Sequence, residues 1–468
     1  GGTTTWMRSP CLGMCERAPA ALVTAAGARP VARPFAPTNA RELNHIVANA
    51  VPEGAAPPQP HVGGTDLRLL RRVAARIDPS SLDAYRANGG YAALARAFEL
   101  GSAGVVREVM ASKLLGRGGA AFPAGRKLDA VAQAPATPHY IVCNADESEP
   151  GTFKDRVLME HDPFAIVEAM TIAAVAARAE FGFVYIRGEY PLATQRLQHA
   201  IDSARAAGLL GADVMGRGFR FDIEIRRGAG AYICGEETAL FNSIEGYRGE
   251  PRSKPPFPVN EGLFHKPTSI NNVETLANLP LVLADGGETY ARTGTPDSTG
   301  TRLFCLSGAI ANPGLYEVPH GTTVAAVVEM AGGVPAGHTL QAILLGGAAG
   351  TFAGPEALAM PLSFEGARAA GATLGSGVLM LFDERTVMLD ILKRIARFFR
   401  EESCGQCVPC RVGTVRQEEA LERSEIDVNL IDEIGRAMRD ASICGLGQAA
   451  YSAIESAQRS LSVLGGAR

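Results

Sequence analysis

Four cysteines near the carboxyl end of the chain are grouped as three plus one. Cys404, Cys407 and Cys410 are separated by two residues each, and Cys444 follows after a gap of 33 residues. This triplet lets three thiolates converge from one loop while a remote fourth closes the site, which is the arrangement of four-iron clusters. Structural zinc more often uses two separate C-x2-C pairs, so a zinc site is the less favoured alternative.

A glycine-rich loop occupies residues 116–123 and follows an apparent helix. A Rossmann dinucleotide fingerprint needs a preceding strand, so the ordinary dinucleotide interpretation is weakened here. Backbone amides at Gly118 and Gly119 are suited to hold a phosphate or the edge of a flavin, with Lys127 as a cationic partner. A glycine turn without a ligand is the alternative.

An acidic loop follows the apolar segment that ends at Cys143. Asp146, Glu147 and Glu149 place three carboxylates within four residues. At the carboxyl end of a strand, such groups can accept hydrogen bonds from ribose hydroxyls, flavin ring nitrogens or a nicotinamide carboxamide. A solvated acidic loop or a magnesium site remains the alternative.

Three further segments have the residue types of ligand-binding loops. The glycine-rich segment 228–238 lies at a strand-to-helix junction, where the helix end can hold an anion or be capped by its own carboxylates. The segment 254–258 presents Lys254 and Phe257 on a proline-stiffened chain. Asn271 and Asn272 look like a helix N-cap, which is compatible with phosphate contact.

Composition and charge narrow the class of protein. The 468 residues suggest about three domains, and 46% hydrophobic with 20% charged residues is the balance of a folded chain. A net charge of −4 argues against a generally basic nucleic-acid binder. No membrane span and no secretory segment is visible, so a cytoplasmic protein is expected.

The elements that position these loops fall into three kinds. From about Asp66 to Tyr290 helices and strands alternate, which predicts an α/β fold with a mainly parallel sheet and ligands at the carboxyl ends of its strands. From Thr301 to Glu384 short strands surround one helix, which predicts a small α+β module. From Val387 onward the pattern is helical and predicts a four-helix bundle.

Together these motifs resemble one family: the NADH-oxidising flavoprotein subunit of bacterial complex I, with its relatives in NAD-reducing hydrogenases and NAD-dependent formate dehydrogenases. The similarity extends from about Tyr91 to the carboxyl terminus. It rests on the segments 116–127, 143–156, 228–238, 254–258 and 271–275 and on the four cysteines.

The resemblance implies that FMN, NADH and a 4Fe-4S cluster are bound. NADH would stack over the flavin, where Glu149 and Lys254 would act as the catalytic pair that holds the nicotinamide. One departure is Ala130, where relatives often carry an aromatic residue beside the adenine. The implied metal ligands are the four cysteines, and the implied cofactor-binding residues are Arg117, Gly118, Gly119, Ala120, Phe122, Lys127, Asn144, Asp146, Glu147, Glu149, Tyr232, Gly235, Glu236, Glu237, Lys254, Phe257, Asn271, Asn272, Thr275 and Leu446.

The residues and the resemblance together give a division into domains. The segment 51–64 carries four prolines and three glycines, which predicts an interdomain linker. The amino-terminal segment around Cys11 and Cys15 looks like the second half of a thioredoxin-like ferredoxin domain, and a 2Fe-2S cluster there needs an upstream cysteine pair. The expected domains are a partial thioredoxin-like domain (1–50), a linker (51–65), an FMN/NADH-binding Rossmann-like domain (66–295), a ubiquitin-like β-grasp domain (296–385) and a helical bundle with the cluster (386–468).

The expected partners are a thioredoxin-like 2Fe-2S subunit and a large iron–sulfur catalytic subunit, without nucleic acid. The segment 442–448 and the ferredoxin remnant look more like the diaphorase subunits of formate dehydrogenases and hydrogenases than like complex I. Of these, the beta subunit of a molybdenum or tungsten formate dehydrogenase is preferred. The diaphorase subunit of a NAD-reducing hydrogenase and the NADH-binding subunit of complex I are the alternatives. An alternative of another class is a zinc-stapled scaffold without catalysis.

Overall fold

The computed structural model describes residues 5–27, 30–49, 59–461 and 463. Within these residues the strands are β1 Ala21–Ala25, β2 Val31–Phe35, β3 Val62–Gly64, β4 Tyr140–Ala145, β5 Phe181–Ile186, β6 Asp222–Arg227, β7 Thr268–Asn272, β8 Thr301–Gly308, β9 Gly314–Pro319, β10 Leu340–Leu345, β11 Thr351–Ala353 and β12 Val378–Asp383.

The helices outnumber the strands and surround both larger sheets. They are α1 Ala40–Ala48, α2 Arg71–Ala74, α3 Leu82–Ala87, α4 Ala92–Ala111, α5 Ala124–Ala132, α6 Lys154–His161, α7 Pro163–Ala177, α8 Pro191–Ala206, α9 Glu237–Ile244, α10 Val273–Ala277, α11 Leu279–Asp285, α12 Gly287–Tyr290, α13 Val324–Met330, α14 Phe364–Ala369, α15 Met388–Glu402, α16 Val408–Glu422, α17 Val428–Ala441, α18 Gly445–Ala449 and α19 Ser452–Leu461.

The α/β prediction is confirmed by a four-stranded, fully parallel sheet in the order β6-β5-β4-β7. The pattern of Pro163 to Glu180 suggests an amphipathic helix, but α7 is buried on every side, because α4, α5 and α8 all pack against it. Strand β7 was not predicted from the sequence. Its last residue, Asn272, also caps α10 by accepting from the amide of Glu274 at 3.0 Å, as expected for an N-cap.

A six-stranded mixed sheet in the order β11-β10-β12-β8-β9-β3 forms the second domain, here called the mixed-sheet domain. The predicted linker lies partly outside the described residues, but its end is a strand: β3 pairs in parallel with β9. The glycines that suggested a linker serve close packing instead. A Cβ at Gly63 would lie 2.8 Å from the Tyr316 ring, and one at Gly64 would lie 1.9 Å from the carbonyl oxygen of Glu317.

The carboxyl-terminal part is helical as predicted, from α15 to α19, with the short α18 as an addition. Leu392, Ile395, Ala396 and Phe399 of α15 are buried in one hydrophobic cluster with Val142 of the parallel sheet. The cysteine segment is thereby held against the α/β domain. Among the described helices, none combines the length and the apolar character that a membrane crossing requires.

The amino-terminal segment packs on the α/β domain. Its antiparallel hairpin β1–β2 is followed by α1. The guanidinium of Arg187 donates to the carbonyl oxygen of Cys11 at 2.6 Å, and Arg156 Nε donates to the carbonyl oxygen of Gly13 at 2.9 Å. Both arginines are buried, so this segment is anchored by charged groups from within the α/β domain.

Candidate functional site

The carboxyl edge of the parallel sheet brings the predicted loops together. Asn144 at the end of β4 lies opposite Asn272 at the end of β7. Strands β5 and β6 extend the sheet on one side of β4, whereas β7 lies on the other side. The strand order therefore reverses between β4 and β7, which is where open parallel sheets bind ligands.

The glycine loop crosses this switch point. A Cβ at Gly118 would lie 3.0 Å from the Cβ of Asn272, and Gly119 has a φ of +111°, which favours glycine. The backbone N–H of Arg117 donates to Thr275 Oγ1 at 2.8 Å and fixes the loop to α10. The loop residues that remain exposed toward a ligand are Gly118, Gly119 and Ala120.

The side chain of Arg117 points away from this exposed edge. It is fully buried, donates to the carbonyl oxygens of Thr299 at 2.8 Å and Thr301 at 3.2 Å, and contacts His320. Burial and the Arg117 charge hold the pKa of His320 well below its usual range, so the neutral imidazole can accept from the guanidinium. The backbone N–H and the side chain of Arg117 are thus both used within the protein, and the side chain joins two domains.

Asp146 offers an acceptor to a ligand at the start of the acidic loop. Its Oδ1 accepts from the Ser148 hydroxyl at 3.3 Å, but its buried Oδ2 has no hydrogen-bond partner within the described part of the chain. Burial raises the pKa of Asp146 to about 7. A buried acceptor without a partner is costly unless a ligand satisfies it, so Asp146 fits a bound cofactor.

Glu147, predicted to bind a cofactor, has its carboxylate committed to the protein. Its oxygens accept from the amides of Asp155 at 2.9 Å and Arg156 at 3.0 Å, and from the Tyr190 hydroxyl at 3.0 Å. Glu147 therefore caps the first turn of α6. A carboxylate after a strand does not reveal in sequence whether a ligand or a helix end will use it.

Glu149 lies at the other end of the acidic loop and contacts the mixed-sheet domain. Its Oε1 accepts from the amide of Ala349 at 2.8 Å. Burial raises the pKa of Glu149 to about 7, although the Ala349 amide and the Ser376 hydroxyl lower it. The carboxyl group can therefore change charge near neutral pH.

Lys254 joins the two glutamates at the start of α9. Its Nζ lies 2.9 Å from Glu236 Oε1 and 2.6 Å from Glu237 Oε1. The second oxygen of Glu236 caps α9 through the amides of Thr238 and Ala239. Lys254 is consequently held by carboxylates rather than free. Next to them, the carbonyl oxygen of Gly235 accepts from Asn144 at 2.8 Å.

Two aromatic rings predicted to line the nicotinamide-nucleotide site are open to solvent. Phe122 is 50% exposed and Phe257 is 54% exposed. Lys127 Nζ lies 5.8 Å from the centroid of the Phe122 ring and donates to the carbonyl oxygen of Ile270 at 2.7 Å. Burial lowers the pKa of Lys127. Exposed phenyl rings beside a cation suit the stacking of a planar, anionic ligand.

A buried ionic network beneath the glycine loop was missed by the sequence analysis. Lys154 Nζ lies 2.8 Å from Asp155, 3.0 Å from Glu274 and 3.1 Å from Asn272 Oδ1, and Asn272 Nδ2 donates to Asp155 at 2.6 Å. The Asn272 side chain is thus used within the protein, while Asn271 donates to Ser269 at 3.1 Å. Charged residues follow Lys154 in the sequence, so nothing in it indicates that this lysine is buried.

Tyr232 connects the acidic loop to the cysteines. Burial raises its pKa well above the usual value, and the charges of Glu149, Asp146 and Cys444 add to the effect. Its amide donates to Glu402 at 2.7 Å, and its ring lies 5.1 Å from that of Phe398. A Cβ at Gly235 would lie 3.5 Å from Asp146 Oδ2, and Glu402 is two residues before Cys404, so the segment 232–235 lies between the predicted flavin site and the start of the predicted cluster site.

The four clustered cysteines lie at helix starts. Cys407 precedes α16 and Cys410 lies in its first turn, while Cys444 precedes α18 and accepts from the amides of Leu446 and Gly447. All four thiols are free. Burial and the neighbouring thiols raise the pKa of Cys410 to about 11, so a thiolate there needs a metal as counter-charge.

The spacing of the sulfurs separates the two metal interpretations. Among the described residues, the only three potential ligands within 4.8 Å of one another are His338, Asp383 and Glu384. No three of the cysteine sulfurs are that close, whereas sulfurs around one zinc lie ~3.8 Å apart for Zn–S bonds of ~2.3 Å. A Cβ at Gly445 would meet nothing within 4 Å, which leaves room for a larger core. The donor set therefore fits an iron–sulfur cluster.

Cys11 and Cys15 lie behind the acidic loop. Burial raises the pKa of Cys15 to about 12, despite a hydrogen bond from the amide of Gly151. Cys11 accepts from the amide of Gly13 at 3.3 Å. A second cysteine pair, which a 2Fe-2S cluster needs, is not found near them among the described residues. The cluster at this position stays a prediction.

Comparisons with known proteins agree with this arrangement. Residues 109–281 match the Nuo51 FMN-binding domain, residues 303–352 the SLBB domain, and residues 390–462 the iron–sulfur binding region of NADH-ubiquinone oxidoreductase F. The contacts of individual site residues with these cofactors stay predictions, including that of Leu446, which is buried beside Cys444.

Relatives of two kinds are similar over most of the chain. The HndC subunit of the NADP-reducing hydrogenase of Solidesulfovibrio fructosivorans is 44% identical, covering 82% of this chain and 79% of the relative. A subunit of the NADH-quinone oxidoreductase of Rhizobium meliloti is 43% identical, covering 83% of this chain and 94% of the relative.

A solved structure is similar as well. The crystal structure of NAD+-reducing [NiFe]-hydrogenase in the H2-reduced state has a TM-score of 0.81 at 33% identity, covering 97% of this chain and 75% of that one. The chain belongs to the family of NADH-oxidising flavoprotein subunits of multisubunit oxidoreductases, which bind FMN, NADH and a 4Fe-4S cluster.

Proposed function

We propose that this chain is the diaphorase (beta) subunit of an NAD-dependent formate dehydrogenase. It exchanges hydride between NAD(H) and FMN and passes single electrons through its 4Fe-4S cluster. The observation that carries the catalytic part is the position of the segment 232–235, which lies against Asp146 at Gly235 and is bonded through the Tyr232 amide to Glu402, two residues before Cys404. A site for two-electron chemistry and a site for one-electron chemistry are thereby adjacent.

Bound FMN supplies the conversion between two-electron and one-electron chemistry. The chain supplies placement. The amides of Gly118 and Gly119 and the free oxygen of Asp146 hold the flavin, and Phe122 and Phe257 line the nucleotide. Glu149 and Lys254 orient the nicotinamide, with no side-chain nucleophile or general base required, since proximity and orientation carry the rate.

The proposed domain organisation follows the same family. The parallel-sheet domain binds FMN and NADH, the mixed-sheet domain is a ubiquitin-like β-grasp, and the carboxyl-terminal helices form the cluster-bearing bundle. The amino-terminal hairpin and α1 belong to a thioredoxin-like domain. The proposed partners are a thioredoxin-like 2Fe-2S subunit and a large iron–sulfur subunit, in the cytoplasm.

The formate assignment is supported by the segment 442–448 around Cys444, which resembles formate dehydrogenase and hydrogenase diaphorase subunits. A NAD-reducing hydrogenase is the second candidate, supported by the structural match over 97% of the chain. Metal analysis of the native complex separates them. Molybdenum or tungsten in a co-purifying subunit supports the formate assignment, whereas nickel overturns it in favour of hydrogenase.

Visible absorption separates the diaphorase from the alternative of a zinc-stapled scaffold without catalysis. Purified protein with bound flavin and four irons supports the diaphorase, because both groups absorb visible light. Colourless protein that contains zinc alone would exclude it. The three-plus-one spacing of the cysteines along the sequence supports the first outcome.

Glu149→Ala is expected to weaken NAD(H) binding about tenfold or more, because it removes a charged hydrogen-bond partner of the nicotinamide. FMN and iron content should stay unchanged. NAD+ titrations of the FMN-loaded protein measure the effect. Unchanged NAD+ affinity would remove Glu149 from the nicotinamide site.

The charge of Glu149 should also be visible as a pH dependence. Its pKa is raised to about 7, so the carboxylate form, which accepts hydrogen bonds and attracts the cationic ring of NAD+, forms as the pH rises through 7. NAD+ affinity should therefore rise between about pH 6 and 8. Glu149→Gln has the same size but does not titrate, and it should flatten this profile.

A further inference from the structure

The mixed-sheet domain extends two loops into the candidate site. The first, residues 346–349, connects β10 to β11. The amide of Ala349 donates to Glu149 Oε1 at 2.8 Å, and a Cβ at Gly347 would lie 2.6 Å from the Glu149 carboxyl carbon. The Glu149 side chain is therefore seated against a surface that is not part of the parallel-sheet domain.

The second loop, residues 373–377, precedes β12 and packs against the first loop. The Ser376 hydroxyl donates to the carbonyl oxygen of Gly346 at 3.2 Å, and its proximity to Glu149 lowers the pKa of that carboxyl group. A Cβ at Gly375 would lie 2.3 Å from that same carbonyl oxygen, so the two loops are in close contact. A Cβ at Gly119 would lie 3.9 Å from the carbonyl carbon of Gly375, which brings the glycine loop against this pair.

The two domains also meet below Glu149. A Cβ at Gly151 would lie 2.7 Å from Val378 Cγ1, so the acidic loop packs directly on the start of β12. The acidic loop and the glycine loop of the parallel-sheet domain thus both touch this part of the mixed-sheet domain. The position of the mixed-sheet domain is therefore coupled to the geometry of the candidate site.

We propose that the mixed-sheet domain forms a wall of the nicotinamide site, in which the Ala349 amide positions the Glu149 carboxylate for NAD(H) and the Ser376 hydroxyl fixes the loop that carries this amide. This inference rests on the proposed function. An ionised carboxylate accepts through both oxygens, so holding Oε1 leaves Oε2 for the ligand. A carboxylate that is held before the ligand arrives binds more tightly than one that must be ordered on binding. Ser376 is a positioning residue because it acts through Glu149.

Removing the Ser376 hydroxyl tests the proposal. Ser376→Ala should raise the dissociation constant of NAD+ about fivefold, the equivalent of one net hydrogen bond. KM for NADH should rise with kcat nearly unchanged, because the lost contact acts on bound substrate and transition state alike. FMN content should not change. Ser376→Thr keeps the hydroxyl and should restore NAD+ affinity.

A matched control and a double-mutant cycle complete the test. Ser307 is a buried serine of β8 in the same domain, whose hydroxyl has no hydrogen-bond partner among the described residues, so Ser307→Ala should leave NAD+ affinity unchanged. In a Glu149→Ala background, Ser376→Ala should have no further effect on NAD+ affinity, because its target is gone.

The outcomes separate this inference from the proposed function. Fully additive effects of Ser376→Ala and Glu149→Ala would overturn the inference, as would an unchanged NAD+ dissociation constant in Ser376→Ala when Glu149→Ala weakens binding. If Glu149→Ala itself leaves NAD+ affinity unchanged, the proposed role of Glu149 fails first. An equal loss in Ser307→Ala would assign the effect to domain stability and would also overturn the inference.

Discussion

Cys444→Ser is expected to slow electron transfer from NADH to a one-electron partner by on the order of a hundredfold or more. Loss of a group that only supports a metal ligand costs about 10- to 100-fold, and loss of the ligand itself should cost more. Cys444 is the remote ligand and closes the cluster site from the start of α18. Its sulfur also receives the amides of Leu446 and Gly447, which stabilise its negative charge. A serine oxygen is a poor substitute in an iron–sulfur site.

The flavin side should survive this substitution. The FMN-binding loops belong to another domain, so FMN content should be retained, and reduction by NADH of an acceptor that reacts directly with flavin should be nearly unchanged. Iron and sulfide analysis together with electron paramagnetic resonance of the reduced protein measures the cluster. Cys143→Ala, which alters a buried cysteine in β4, is the matched control and should keep its iron. A Cys444→Ser protein with a full cluster would contradict the ligand assignment.

The parallel sheet was predictable because it depends on local sequence, and the assignment of the cysteine ligands, which stays a prediction, depends on local sequence as well. Two-residue spacing between Cys404, Cys407 and Cys410 is short enough to fix their convergence without knowledge of the fold. Alternating helices and strands likewise imply a parallel sheet with loops at one edge. The structure adds the unpredicted strand β7 to this sheet, so that Asn144 and Asn272 lie opposite each other at that edge.

What remained hidden depends on contacts between distant residues. Nothing near Glu147 in sequence reveals that its carboxylate caps α6, and nothing near Ser376 reveals that it faces Glu149, 227 positions away in the chain. The strand β3 was mistaken for linker because its glycines, which permit close packing on β9, are also the residues of flexible segments. Local sequence patterns identify the loops of a site, but they do not show which other domain contacts those loops.

Lys154→Met is expected to destabilise the parallel-sheet domain by about 3–5 kcal/mol, because removing one partner of a buried ion pair leaves uncompensated charge. The Lys154 side chain is 1% exposed, and its partners Asp155 and Glu274 are 3% and 0% exposed. Although burial opposes it, the charges of Asp155 and Glu274 raise the pKa of Lys154, so the ammonium is charged in the folded protein. Methionine fills a similar volume, so packing is largely kept.

Denaturant and thermal unfolding measure this loss, and Lys393→Met supplies the comparison. Lys393 lies 3.1 Å from Glu422 in a pair whose side chains are 25% and 46% exposed, so its loss should cost less than about 1 kcal/mol. Burial raises the pKa of Asp155, and the charge of Lys154 lowers it. In Lys154→Met the pKa of Asp155 is therefore higher still, so this carboxylate becomes neutral more readily as the pH falls. The difference from wild type should therefore shrink from pH 8 toward pH 5. If the loss of stability is the same at every pH, it comes from lost packing beneath the glycine loop and not from unpaired buried charge.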